Sequence, residues 1–280
     1  MSEKSPQNQD YSHTFRYLNT TLHFREPLCE HTETALRQLI RNRRKRTRTR
    51  ATTVLTGGRQ SLFAKVQRLD SFQSKVRVTL GAPQRNGRFD WPLEELKNTL
   101  KAQRRGAQMS PLQGFGYTKS SFGLTREYFL ITQLLDDHLD GYQWVLKHPE
   151  HVETFVKNAF ALLDSLADKG IHHMDFWAGN IMQPTDVDSP LKAIDFENCF
   201  ARPTDYESEV LGFQLGFLYR REIYRFITEA RYDSLVHEYL QQKPTVSVDK
   251  FQQVYQPSKH CPVGRKERRE VFLHGKLILD

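Results

Sequence analysis

The stretch IHHMDFWAGNIM, residues 171–182, decides how the chain reads. Ile171 closes one apolar segment and Ile181-Met182 open the next, so His173, Asp175 and Asn180 fall on a tight polar loop between two apolar ends. Asp195 follows thirteen residues after Met182, behind the strand-like LKAI, and the QPTDVDSP between them reads as a turn. A short hairpin then carries Asn180 and Asp195 side by side. A carboxylate and a carboxamide oxygen converging on one point make a hard-oxygen site for Mg²⁺, an ion held by one or two carboxylates plus substrate phosphates. Asp175, on the same loop, stays free to accept a proton from an attacking hydroxyl. This is the division of labour that phosphoryl transfer needs. A zinc site at His172, His173 and Asp175 competes, but it lacks the helical i, i+4 histidine pair and leaves Asn180 and Asp195 unexplained.

Outward from the loop, the chain changes character once. HPEHVETFVKNAFALLDSLADKG (148–170) reads as an amphipathic helix, with Phe155, Ala159, Leu162, Leu163 and Leu166 on one side and Gly170 as its stop. The segment 205–242 looks wholly helical, and the proline-bearing 243–280 has no assigned role. Upstream, residues 1–14 read as a disordered polar tail, and about 15–80 as short and β-like. ATTVL (51–55) and SLFAKVQ (61–67) flank Gly57-Gly58 as a hairpin. A helix is expected over 91–105 from Leu93, Leu96 and Leu100, and two further strands over 113–136. Lys65 lies in the second strand of the hairpin, where an ammonium can reach nucleotide phosphates. Glu95, on the helix that follows, is its natural partner, with Glu94 competing for the role. The layout is α+β and bilobal, with an N-lobe at 15–135, a mainly helical C-lobe at 136–280, and a cleft between them.

Composition narrows the partners. The 280 residues, 38% hydrophobic with 18 Phe and 11 Tyr, suffice for a sizeable core. The longest apolar runs, such as FLITQLL (129–135), are too short to span a bilayer, and MSEKSPQNQDYS has no secretory apolar core, so a cytoplasmic location is expected. Cys29, Cys199 and Cys261 lack paired spacing and read as small hydrophobes. The net charge of +8 concentrates in RNRRKRTRTR (41–50) and GRKERRE (264–270), clusters that suit phosphates or anionic lipid as well as plain solvent. Without interleaved aromatics the first run offers no base-stacking platform, and no nucleic-acid partner is expected.

The set Lys65, Glu95, HMDFWAGN and IDFE resembles the protein-kinase-like fold. More narrowly it resembles the bacterial lipopolysaccharide kinase family, which phosphorylates inner-core sugars, Kdo or heptose. RATTVL before the lysine strand, HxDxxxxNI in the loop, and DFEN followed by Cys199 carry that narrower likeness, over roughly residues 40–240. The resemblance implies a small antiparallel-sheet N-lobe with one main helix. It makes Asp175 the catalytic base, Asn180 and Asp195 the metal ligands, and Lys65 the phosphate-binding lysine with Glu95 behind it. His173 becomes the brace of the loop, and Gln133 to Leu135 the adenine-binding hinge. ATP and Mg²⁺ are the implied cofactors. An anionic glycolipid acceptor and peripheral contact with the inner membrane are the implied partners.

The sequence departs from the kinase pattern in four places. No GxGxxG precedes Lys65; the basic RKRTRTRATT stands there. Glu197 replaces the glycine after Asp-Phe, and Trp177 stands where serine/threonine kinases carry a lysine. Nine residues between Asp195 and Asp205 leave no room for a long activation segment, which counts against a peptide-docking platform and demotes the protein-kinase reading. Two other readings compete. One is a small-molecule phosphotransferase of the aminoglycoside or choline kinase type, which handles cations and lines its pocket with acids. The other is a pseudokinase binding module.

Overall fold

Strand-forming runs with alternating apolar side chains pair into one six-stranded antiparallel sheet in the order β1-β2-β5-β6-β4-β3. The strands are β1 (His13–Tyr17), β2 (Thr20–Phe24), β3 (Arg50–Leu55), β4 (Leu62–Arg68), β5 (Leu112–Lys119) and β6 (Thr125–Gln133). The computed structural model describes residues 10–45, 50–56, 61–85, 87–186 and 189–279, without the side chains of 44 and 45. The expected Gly57-Gly58 turn and much of the basic run, which stands in place of a glycine-rich loop, lie outside the described residues. The chain divides into two compact units, Met1–Leu100 with Ser110–Asp136, and Lys101–Met109 with Asp137–Asp280.

The sheet belongs to the first unit. Leu22, Ala64, Val66, Phe129 and Ile131 are fully buried on it, with Leu36 and Ile40 of α1 (Glu30–Lys45) packed in the same cluster. β2 approaches β5 so closely that a Cβ at Gly116 would lie 2.1 Å from the Thr21 carbonyl oxygen. Glycine is what lets these two strands pair.

Three expectations fail here. Among its described residues the unit holds three helices where one main helix was expected: α1, α2 (Phe72–Leu80) and α3 (Trp91–Arg104), whose last turn falls in the second unit. In α1 the Ala35, Leu36, Leu39, Ile40 spacing is helical but drowned in charge. In α2 the β-branched Val76, Val78 and Thr79 suggest a strand, although Ser71 caps the start by accepting from the Ser74 N–H (3.0 Å) and Gly81 at φ 63° ends it. The polar tail is also shorter than 1–14. Tyr11 is 2% exposed and donates to the Leu112 carbonyl, and β1 begins at His13. Part of the basic run, finally, is structural. Arg43 is buried on α1, pairing with Glu127 at 2.9 Å.

The second unit is mainly helical. α4 (Gly141–Lys147) and α5 (Val152–Ala167) build its core, and all five apolar residues read from the periodicity of α5 are buried. Gly170 follows at φ 62°. The segment 205–242 is not one helix. α6 (Glu207–Arg220) and α7 (Glu229–Leu240) are separated by an irregular connection in which Glu222 takes a left-handed φ of 80°. The tail, without a role in the sequence, forms α8 (Val248–His260) and α9 (Arg265–His274). No described helix is long and apolar enough to cross a membrane.

α8 lies directly on α6, where a Cβ at Gly212 would come 2.4 Å from the Phe251 carbonyl oxygen. The Gly212→Ala substitution is expected to cost about 1–3 kcal/mol through overpacking. Urea unfolding measures it, and an unchanged midpoint would contradict this contact.

Candidate active site

The quoted loop is held by backbone pairing at both ends. β8 (His172–His173) pairs with β11 (Cys199–Phe200), and β9 (Ile181–Pro184) pairs with β10 (Lys192–Ala193), placing Ile181 opposite Ala193. The expected hairpin is therefore present. β7 (His138–Asp140) extends it on the other side of β9. The Ile194 N–H donates to the Asn180 carbonyl at 3.0 Å, so the residue before Asp195 is tied to Asn180.

His173 is the hub of this assembly. It is fully buried, accepts from the Asp175 N–H at Nδ1 (3.3 Å), and donates from Nε2 to the Ile194 carbonyl (2.9 Å). Those two bonds fix the tautomer as the Nε2–H form. Burial holds its pKa below the usual histidine range, against the pull of the Ile194 carbonyl, Asp175 and Asp195. With both ring nitrogens engaged, His173 has no lone pair for a metal. His172 is buried against the Phe272 ring, and burial pushes its pKa down to about 4. With His173 excluded, the zinc alternative keeps only two of its three donors, fewer than a protein zinc site uses.

Asn180 closes the loop by donating from Nδ2 to the Asp175 carbonyl at 2.9 Å, which leaves its Oδ1 as an acceptor. Asp195 adopts φ 62°, ψ 69°, a left-handed conformation that aspartate tolerates better than most residues. A carboxylate and a carboxamide oxygen on one hairpin form a donor set that suits Mg²⁺.

The Asp175 carboxylate has a partner that the sequence did not reveal. Arg268 of α9 donates from Nη1 to Asp175 Oδ1 at 2.6 Å, with side-chain exposures of 10% and 20%. Arg268 also donates to the Val263 carbonyl and lies over the Phe217 ring at 4.4 Å. Burial pulls its pKa down, while Asp175 pulls it back up. Glu197, where a glycine was expected, is nearly buried and pairs with Arg265 at 2.7 Å. The GRKERRE cluster, which as sequence suits phosphates or anionic lipid as well as plain solvent, sends two of its arginines to carboxylates of this site. The cluster itself was the available signal; its destination is a long-range contact.

In the first unit, Lys65 of β4 donates to Glu95 of α3 at 2.7 Å, with both side chains over nine-tenths buried. Glu94 turns back to accept from the Phe89 N–H (3.3 Å), which resolves the choice between the two carboxylates. Gln133 ends β6; its N–H donates to the Pro111 carbonyl and its own carbonyl accepts from Ser110 Oγ (2.6 Å). Leu135 is buried two residues on. The sequence-derived candidates thus form two groups, Lys65 with Glu95, and His173, Asp175, Asn180 and Asp195 on one loop and hairpin.

No family model matches this chain, and no curated protein does. Among solved structures it is similar to one described as WaaP in complex with acyl carrier protein, with 15% identity over 81% of this chain and 79% of that chain and a TM-score of 0.45.

Proposed function

We propose that this chain is an ATP-dependent kinase of the lipopolysaccharide kinase family, with a protein-kinase-like fold. It would phosphorylate a sugar hydroxyl of the inner core, Kdo or heptose, at the cytoplasmic face of the membrane. The observation that supports this most is the His173-centred assembly, which fixes one carboxylate, Asp175, on a loop and presents Asn180 and Asp195 beside it on a hairpin. Asp175 is the base that takes the acceptor's proton and orients the oxygen for in-line attack. Asn180 Oδ1 and the Asp195 carboxylate are the residues that would hold Mg²⁺. When bound, that ion supplies neutralisation of phosphate charge. Lys65, kept extended by Glu95, binds ATP phosphates, and the Gln133–Leu135 segment receives the adenine. Arg268 holds the Asp175 carboxylate in one orientation.

The arginines around Asp175 favour an anionic acceptor over the cationic substrates of aminoglycoside and choline kinases. The pseudokinase reading loses ground because every residue type the chemistry requires is present. Titration calorimetry with ATP and Mg²⁺ tests the nucleotide half of the proposal. The expected result is saturable binding that weakens by about tenfold in Lys65→Ala, the worth of one charge-assisted hydrogen bond. Failure of the wild-type chain to bind ATP would sink it.

A further inference from the structure

Two carboxylates of the loop region described above, Asp175 and Glu197, each have an arginine, and a further arginine lies beside them. Asp175 pairs with Arg268, and Glu197 pairs with Arg265. Arg221, just past the end of α6, lies with its guanidinium 4.7 Å from the Trp177 ring centroid and 5.6 Å from that of Phe217. Among the described residues no carboxylate pairs with it. Phe217 also carries Arg268 on its ring, so two guanidiniums share one aromatic platform. Both Arg221 and Arg265 disfavour the charge on Arg268. Asp175 and Glu197 offset two of these three like charges, which leaves an excess positive charge at Arg221 that an added anion would stabilise.

The platform is built into the loop itself. The Trp177 ring folds back over Gly179 so tightly that a Cβ there would lie 2.4 Å from it. Trp177 stands two residues after Asp175, and the Phe217 ring that Arg221 also approaches carries Arg268, the partner of the proposed base. Stacking on an aromatic face keeps the N–H fork in a plane, the geometry that matches a carboxylate or phosphate with two parallel bonds.

We propose that Arg221, stacked on Trp177 and assisted by Arg265, forms an anion subsite for the acceptor and selects sugars that carry a carboxylate or phosphate near the reacting hydroxyl. This deepens the kinase reading and rests on it for the identity of the acceptor, while the anion subsite can be measured without any transfer. The probes are free Kdo, its methyl ester, glucose 6-phosphate and inorganic phosphate, titrated into the full chain while tryptophan fluorescence is followed. ATP with Mg²⁺ is titrated in parallel by calorimetry.

The acid is expected to bind at least about tenfold more tightly than its ester, the scale of one charge-assisted hydrogen bond. Arg221→Gln is expected to abolish that difference, and Arg221→Lys to restore part of it, with ATP affinity unchanged in both. Preference for the acid over the phosphates identifies a carboxylate subsite, and the reverse order a phosphate subsite. The proposal is overturned if wild type binds none of the anions, if Arg221→Gln binds them as wild type does, or if it loses ATP in the same proportion. Loss of ATP binding from wild type, with anion selection intact, would count against the kinase reading alone.

Discussion

Asp175→Ala is expected to lower turnover by about 10²–10⁴-fold, the usual worth of a positioned general base, while ATP affinity stays within about twofold. The reason is positional. Asp175 is fixed by its N–H on His173, by its carbonyl on Asn180 and by its carboxylate on Arg268. Removing the carboxylate takes away the proton acceptor but leaves the residues assigned to nucleotide and metal in place. It also strands a buried guanidinium, so Asp175→Ala carries a stability cost of its own. Asp175→Asn separates the two effects, because its side-chain oxygen can still accept from Arg268 but cannot take up a proton. The asparagine variant should fold like wild type and remain as impaired as the alanine variant. Near-normal turnover in Asp175→Asn would remove this residue from the role of base.

Asp195→Asn is expected to fail at an earlier step. The carboxylate is assigned to Mg²⁺, so ATP should bind more weakly in the presence of the ion, by about a hundredfold or more. Losing even an outer-shell partner of a metal typically costs 10–100-fold. Asparagine is the informative replacement because it tolerates the left-handed φ of 62° at this position, whereas alanine would add backbone strain to the lost charge. Calorimetry with and without Mg²⁺ reads the effect. The gap between the two wild-type affinities should largely disappear in the variant. An unaltered response to Mg²⁺ would show that Asp195 is not a metal ligand.

What could be read from the sequence is what local physics determines. The apolar spacing of 152–167 contains α5, and IHHMDFWAGNIM with LKAIDFEN contains the loop and hairpin, because turn residues and strand-formers lie next to one another. α1 and α2 escaped because charge in one and β-branching in the other masked the helical period, which packing against the sheet then imposed. Glu94 and Glu95 were indistinguishable as sequence. They differ only in direction, since adjacent helix positions point about 100° apart, and only Glu95 meets Lys65. Arg268 lies 93 residues from Asp175, and no spacing rule connects them. The helix that brings them together, α9, sits in the proline-bearing segment 243–280, to which the sequence assigned no role, and Pro257 lies inside α8 itself.

One experiment tests the central claim most directly: transfer of label from γ-labelled ATP with Mg²⁺, offering Kdo-lipid A, a heptosylated core and an aminoglycoside panel in parallel. The account predicts label on a core glycolipid, lost in Asp175→Asn. Label on the aminoglycosides alone, or none on any acceptor while ATP binds, would contradict the lipopolysaccharide kinase assignment.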